Sequence, residues 1–259
     1  MTENTPSKGV YILPSLFTTA GLFFGFYAII SASRGEFDAA AIGILIAMIT
    51  DTLDGRVARM TNTASDFGKE YDSLVDLVAF GLAPGLVMYF WALQDLGKTG
   101  WVISFIYVAA TALRLARFNT ITSDDKRYFV GLPSPSGAAF VVFWVWTFHD
   151  FAVTGLFISI VSALITLISA MLMVSGIKFR SFKDLDVKSK VPFVFVIAFV
   201  FVISLITFDP PRVLFLISAA FVLSGPISWV MRVSKGEEKW KSIIEDPEDS
   251  LPFEEDKDD

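Results

Sequence analysis

Eight apolar segments constrain the fold of this chain more than any other feature. They lie near residues 15–33, 38–60, 72–94, 100–118, 135–150, 153–176, 190–207 and 212–232. A membrane-spanning helix needs about 20 mostly apolar residues, and the fifth segment is the shortest. The whole chain is 54% hydrophobic, above the roughly 45 to 50% of soluble domains. We therefore predict an all-α, polytopic membrane helix bundle with about eight transmembrane helices.

The basic residues predict how this bundle is oriented. If the N-terminus is cytoplasmic, eight helices place 18 of the 21 Lys and Arg residues on the cytoplasmic side, leaving Arg34, Lys98 and Arg212 outside. Positive charge is retained on that side of a membrane, and an odd number of helices would break the pattern. No cleavable signal pattern opens the chain, so we expect the first helix to be retained.

The charge distribution and the scarcity of cysteine and histidine narrow the class of protein further. The 11 acidic and three basic residues from Glu237 onward carry a charge of −8, whereas the rest of the chain carries +2, so this end makes the net charge −6. Such a composition is typical of a solvated end. No nucleic-acid partner is expected. The chain has no cysteine, which excludes thiolate nucleophiles and thiolate zinc sites. The only histidine, His149, falls on the outer side, so we assign it no catalytic role.

Four aspartates interrupt the second and third apolar segments. At about 100° per residue of α-helix, one stripe of the second helix carries Asp51, Asp54, Gly55 and Ala58. On the third helix, a spacing of four residues puts Gly68, Asp72 and Asp76 on one face. The two helices are antiparallel and joined on the cytoplasmic side. We therefore expect the four carboxylates to meet near that side, recessed below the membrane surface.

Four carboxylates so close together must be neutralised. One carboxylate in a membrane helix costs about 3 kcal/mol, and Arg59 alone cannot balance four. Two divalent cations would balance all four charges, and Mg²⁺ and Mn²⁺ prefer carboxylate oxygens. Paired metals about 4 Å apart commonly assist displacement at phosphorus. Small residues nearby would let a nucleotide or phosphate approach the backbone. Two other interpretations are a polar network that only holds helices together and a carboxylate-lined cation transporter.

The order D-x-x-D-G-x-x-A-R, eight residues, then G-x-x-x-D-x-x-x-D resembles the signature of the CDP-alcohol phosphotransferase family. It is met at Asp51, Asp54, Gly55, Ala58, Arg59, Gly68, Asp72 and Asp76. The resemblance implies that the four aspartates hold two divalent cations, Mg²⁺ or Mn²⁺. It also implies that the nucleotide diphosphate lies across them and that Asp76 is the general base.

Further stretches resemble the bacterial phosphatidylserine synthase branch of that family: YILPSLFTTAGLFFGF in the first helix, ALRLARFN, GLPSPSGAA and FRSFKDLD. This resemblance implies transfer of a phosphatidyl group from CDP-diacylglycerol to L-serine, giving phosphatidylserine and CMP. One departure is Ser15, where relatives often have Asn. The alternative is the same chemistry with another acceptor, glycerol 3-phosphate or inositol phosphate, whose pocket would need more basic residues.

The resemblance also suggests substrate-binding residues. The candidates for nucleotide binding are Ser15, Thr18, Gly55, Ala58, Arg59, Ser65 and Gly68. The candidates for binding the lipid phosphate or serine are Arg114, Arg117, Asn119, Pro133 and Ser134. Arginines at a cytoplasmic helix end are equally expected from the positive-inside bias and from snorkelling. GLPSPSG is predicted to be a turn, with Pro135 opening the next helix, and it is either a plain loop or a wall of the acceptor pocket.

We expect three regions along the chain. Residues 1–176 form a catalytic core of six helices, residues 177–236 add two transmembrane helices, and residues 237–259 form an acidic cytoplasmic tail. The expected location is the cell (inner) membrane of a prokaryote, with both termini and the active site cytoplasmic. A homodimer surrounded by membrane lipids is expected.

Overall fold

A computed structural model describes residues 8–61, 65–120, 128–151, 155–180 and 193–234 of the chain. Almost all of these residues are helical. The helices are α1 (Lys8–Ser33), α2 (Phe37–Thr61), α3 (Asp66–Asp76), α4 (Ala83–Trp91), α5 (Lys98–Thr120), α6 (Ser134–Asp150), α7 (Leu156–Val174), α8 (Phe193–Phe208) and α9 (Pro210–Ser234). The acidic tail predicted at 237–259 lies outside the described residues.

Helices α1 and α2 form an antiparallel hairpin that packs along most of its length. The turn between them contains Gly35, whose φ of 79° favours glycine. Close approach of the two helices depends on Gly43, since a Cβ there would lie 3.1 Å from the Phe24 carbonyl oxygen. The hairpin places the C-terminal half of α2, with its aspartates, beside α1.

Helices α3 and α4 form one continuous unit, Asp66–Trp91, with a π-helical turn at Leu77–Leu82 between them. The sequence predicts this unit as a helix over 72–94. Its first turns lie outside the apolar segment because Asp66, Lys69 and Glu70 are polar, and Ser65 caps the helix by accepting a hydrogen bond from the Gly68 N–H at 3.1 Å. The unit therefore begins with a polar turn and continues as an apolar span.

The rest of the bundle packs α5 against α7 and α6 against both α9 and α2. The core between these helices includes Tyr107, Met88, Val142 and Met173, all nearly inaccessible. α6 begins at Ser134 with Pro135 in its first turn, which confirms the predicted helix start at Pro135, whereas only residues 131–133 of the predicted turn lie outside the helix.

A short pairing of two strands is absent from the sequence prediction. β1 (Tyr128–Val130) pairs antiparallel with β2 (Lys178–Arg180). Gly131 follows with a φ of 77° and donates its N–H to the Ile177 carbonyl, so the segment leading into α6 is tied to the end of α7. Three-residue strands from distant parts of the chain carry no periodic signal that a sequence could reveal.

The predicted all-α, polytopic membrane bundle is confirmed. Within the described residues, five helical units are long and apolar enough to cross a membrane: Pro14–Ser33, Asp66–Trp91, Lys98–Thr120, Leu156–Val174 and Pro210–Ser234. α2 is as long but carries the charged residues of the site, and the shorter helices include α6. Large apolar side chains such as Phe199, Phe208 and Phe157 face outward, as expected of a surface in contact with lipid.

Candidate active site

Three of the four aspartates converge between α2 and α3. One carboxylate oxygen from each of Asp51, Asp72 and Asp76 lies within 4.8 Å of the other two. The helical spacing of four residues places Asp72 and Asp76 on one side of α3, and Asp51 faces them from α2. All three side chains are partly buried, and their negative charges repel one another across the gap.

The fourth aspartate, Asp54, is outside this group of three and is hydrogen-bonded to α1. Its Oδ2 accepts a hydrogen bond from the Thr18 hydroxyl at 2.9 Å, and it is only 6% exposed. The same hydroxyl lies 3.1 Å from the Pro14 carbonyl oxygen. Because it has one proton and bonds to a carboxylate are the stronger ones, we assign the donated proton to Asp54.

The donor set fits a divalent cation. Among the described residues, no hydrogen-bond donor engages Asp51, Asp72 or Asp76, so their oxygens are available as ligands. A cavity of about 10 Å³ lies between the four carboxylates, which is about the space occupied by one water molecule or ion. Clustered hard oxygen donors are what Mg²⁺ and Mn²⁺ select.

A larger cavity of about 220 Å³ opens beside the carboxylates. The structure places six of the seven residues predicted for nucleotide binding around it: Ser15, Thr18, Gly55, Ala58, Ser65 and Gly68. Asp54 and Asp72 line both cavities. The seventh residue, Arg59, is exposed and is not in the lining, although its guanidinium reaches to 4.0 Å from the position a Gly55 Cβ would occupy.

Two further residues, Pro14 and Lys69, line this cavity and are absent from the sequence-based set. Lys69 lies four residues after Ser65 and three before Asp72, so helical spacing places it near both. That spacing is the signal that could have identified it. Its ammonium group gives the cavity a cation suited to a phosphate.

Arg114 of α5 is a cationic neighbour of Asp76. Its guanidinium interacts favourably with the Asp76 carboxylate. Its Nη1 also donates a hydrogen bond to the Ser134 hydroxyl at 2.7 Å. Ser134 is fully buried at the start of α6, so the strand pairing that fixes this segment also fixes Arg114. The Nε atom of Arg114 is buried and has no partner among the described residues.

The other predicted acceptor-side residues lie around this point. Asn119 donates a hydrogen bond to the Ser73 hydroxyl at 2.9 Å, joining the end of α5 to α3. Pro133 immediately precedes Ser134 and its carbonyl accepts the Gly137 N–H. Arg117 lies one turn beyond Arg114 and is only partly buried. The structure thus links Arg114, Ser134 and Asn119 to α3, the helix that carries Asp72 and Asp76.

Comparison with known proteins identifies the class. The sequence profile described as CDP-alcohol phosphatidyltransferase matches residues 11–177. This region contains the aspartates and both cavities. The chain belongs to the CDP-alcohol phosphatidyltransferase family and is an integral membrane enzyme.

Several relatives are more specific. The chain is 36% identical over 236 residues to a CDP-diacylglycerol–serine O-phosphatidyltransferase of Helicobacter pylori, covering 89% of this chain and 96% of the relative. It is 34% identical over 171 residues to the protein of the same name from Bacillus subtilis, covering 66% of this chain and 91% of that protein. It is 34% identical over 169 residues to an archaetidylserine synthase of Methanothermobacter thermautotrophicus, covering 64% of this chain and 69% of that protein.

Proposed function

We propose that this protein transfers a phosphatidyl group from CDP-diacylglycerol to L-serine, giving phosphatidylserine and CMP. The observation that carries the proposal is the cluster of Asp51, Asp72 and Asp76 beside a cavity lined by the family signature residues. The acceptor is inferred from the relatives, whose names specify serine.

The nucleotide end of CDP-diacylglycerol would occupy the 220 Å³ cavity. Gly55 and Gly68 present backbone without a side chain, which permits close approach of a phosphate or a flat base. Lys69 supplies a positive charge, and Ser15 and Ser65 supply hydroxyl groups, although the Ser65 oxygen already accepts a bond from Gly68. The lipid tails would extend into the surrounding bilayer.

Asp51, Asp54, Asp72 and Asp76 would hold two divalent cations. Bound there, Mg²⁺ or Mn²⁺ would stabilise negative charge on the diphosphate and the departing CMP. We assign Asp76 the further role of accepting the proton of the serine hydroxyl as that oxygen attacks phosphorus. Asp76 suits this role because it is the last residue of α3 and interacts both with the other carboxylates and with Arg114.

Arg114 would bind either the carboxylate of serine or the lipid phosphate. Its planar guanidinium matches both groups, and the Ser134 hydroxyl holds it in place at 2.7 Å. Arg117, Asn119, Pro133 and Ser134 would complete this wall. Other acceptors, such as glycerol 3-phosphate and inositol phosphate, carry a phosphate of their own and would need further cations here.

The direct test is an assay of purified protein in lipid nanodiscs with CDP-diacylglycerol, Mg²⁺ or Mn²⁺ and one alcohol at a time. We expect CMP release and a new phospholipid with serine, and much less with glycerol 3-phosphate or inositol phosphate. Preference for a phosphorylated alcohol would replace serine as the acceptor. Absence of metal-dependent CMP release with every alcohol would reject the proposed chemistry and favour a cation transporter.

We further propose the organisation and orientation that the sequence predicts. Residues 1–176 would form the catalytic core, 177–236 two additional transmembrane helices and 237–259 a cytoplasmic tail, in a homodimer of the cell membrane. The distribution of Lys and Arg supports cytoplasmic termini. A reporter fused after residue 259 should then be cytoplasmic, and a periplasmic signal would contradict this. The mass of the purified protein in detergent tests the dimer.

A further inference from the structure

The helix that carries Asp72 and Asp76 changes its hydrogen-bond pattern immediately after Asp76. Residues Leu77–Leu82 form a π-helical turn, and the Ala83 N–H donates to the Val78 carbonyl five residues earlier. Such turns are rare, usually occur singly within α-helices and are frequent at functional sites. This one separates the aspartates from the buried helix α4.

Pro84 explains why the turn forms here. Proline has no N–H, and in an α-helix its ring collides with the carbonyl four residues earlier, which for Pro84 is that of Phe80. The π turn relieves the collision, but residue 84 still cannot donate to that carbonyl. Phe80 is only 1% exposed, so water does not replace the missing donor.

Tyr107 of α5 supplies a donor. Its hydroxyl donates a hydrogen bond to the Phe80 carbonyl at 3.0 Å, and the residue is completely buried. An unpaired carbonyl in such a place would favour a different helix geometry, because buried backbone groups are almost always paired. The Tyr107 hydroxyl therefore stabilises the π turn at the point where Pro84 disrupts the regular pattern.

Packing leaves the turn little freedom to move. A Cβ on Gly25 of α1 would lie 2.9 Å from the Ala79 Cα, and a Cβ on Gly81 would lie 3.1 Å from the Thr111 side chain. Helices α1 and α5 thus hold the turn from two sides. A change in its hydrogen bonding would be transmitted along the helix to the more exposed α3.

The π turn also determines the direction of the two carboxylates. In an unbroken α-helix, the buried side of α4 would be centred roughly 100° from the face that carries Asp72 and Asp76. A π turn contains one residue more than an α-helical turn, so it rotates the residues that follow by about 100° and cancels this difference. The buried residues that define this side of α4 are Ala83, Pro84, Gly85, Val87 and Met88. The π turn thereby brings the aspartates onto the same side as the core-facing surface of α4.

We infer that Tyr107 is a positioning residue for the aspartate site: through the Phe80 carbonyl it maintains the π turn that directs Asp72 and Asp76 toward Asp51. The catalytic part of this inference depends on the proposed function. The geometric part does not, because it concerns where two potential metal ligands point. The two parts can therefore be tested separately.

The experiment compares Tyr107→Phe with Ser104→Ala in the full-length protein. Ser104 is a matched control because it also lies on α5, is buried and donates to a backbone carbonyl, that of Gly85 at 2.7 Å, beyond the π turn. We measure Mn²⁺ affinity by electron paramagnetic resonance, together with kcat and the KM for CDP-diacylglycerol. Pro84→Ala is a third variant, since it restores an N–H at residue 84 and permits a regular α-helix.

We expect Tyr107→Phe and Pro84→Ala to weaken Mn²⁺ binding and lower kcat by about 10- to 100-fold, as for other residues that orient metal ligands. Ser104→Ala should keep the wild-type Mn²⁺ affinity. Wild-type Mn²⁺ affinity in either Tyr107→Phe or Pro84→Ala overturns the inference. If wild-type protein binds Mn²⁺ but releases no CMP, the proposed function fails, and a loss of Mn²⁺ affinity confined to those two variants still supports positioning.

Discussion

The Thr18 hydroxyl donates a hydrogen bond of 2.9 Å to Asp54 Oδ2, joining α1 to α2. Both residues are at most 6% exposed. This contact links the cavity assigned to the nucleotide with the carboxylates assigned to the metals, because both residues line both cavities.

Removing the hydrogen bond between Thr18 and Asp54 should weaken the binding of the Mg²⁺ that the reaction requires. A bond to a charged group contributes about 1.5 to 3 kcal/mol. We therefore expect Thr18→Val to raise the Mg²⁺ concentration for half-maximal CMP release by roughly 10- to 100-fold, and Thr18→Ser to restore it. Thr50→Val is the control, since the Thr50 hydroxyl donates only to its own helix, at Ala47. Equal Mg²⁺ dependence in Thr18→Val and Thr50→Val would show that the contact is structural only.

Gly55 tests the nucleotide cavity. Among the described residues, a Cβ there would meet no atom outside its own helix backbone closer than Arg59 Nη2 at 4.0 Å. Alanine is also favoured over glycine in a helix by about 1 kcal/mol. Gly55→Ala should therefore keep or raise the melting temperature. Its methyl group would project where we place the nucleotide, so the KM for CDP-diacylglycerol should rise by roughly 10- to 100-fold.

Gly43 on the same helix provides the contrast for this test. Its Cβ would lie 3.1 Å from the Phe24 carbonyl oxygen in the α1–α2 interface. Gly43→Ala should lower the melting temperature without a specific effect on the KM of the folded enzyme. An unchanged KM in Gly55→Ala would mean that the nucleotide does not approach this backbone.

The sequence predicts the faces of the helices better than the contacts between them. Spacing alone places Asp72 and Asp76 on one face of α3, and the structure has them there with Asp51 opposite. The π turn at Leu77–Leu82 is not predicted, although Pro84 is its visible cause, because a buried donor on another helix must accompany it. That donor, Tyr107, looks like any other core aromatic residue in the sequence.

The acceptor side depends even more on tertiary structure. Arg114 and Ser134 lie 20 positions apart, on different helices, yet their side chains are 2.7 Å apart. Their contact depends on the β1–β2 pairing and on Gly131, which together fix the start of α6. No local pattern encodes this arrangement, so only the family resemblance identifies these residues beforehand.

Arg114→Lys tests the acceptor side, because it keeps the charge but loses the planar guanidinium. If Arg114 binds the carboxylate of serine, the KM for serine should rise by at least about tenfold. If it binds the lipid phosphate, the KM for CDP-diacylglycerol should rise instead. Ser134→Ala should produce a smaller change of the same kind. Arg212→Lys is the control, since Arg212 pairs with Asp209 outside this site.

If neither KM changes in Arg114→Lys while kcat is retained, Arg114 contacts no substrate. The RLARFN stretch would then reflect membrane topology alone, as positive-inside bias allows.

The central claim is that the aspartate cluster performs the transfer, with Asp76 as the base, and Asp76→Asn tests it most directly. The measurement is the rate of serine transfer at saturating Mg²⁺, alongside the affinity for CDP-diacylglycerol. The amide keeps the size of the side chain but cannot accept the proton, and Asp51, Asp54 and Asp72 remain as ligands. We predict that transfer falls by at least about 10²- to 10⁴-fold while CDP-diacylglycerol binding stays detectable. Transfer within about tenfold of the wild-type rate would contradict the assignment of Asp76 as the base.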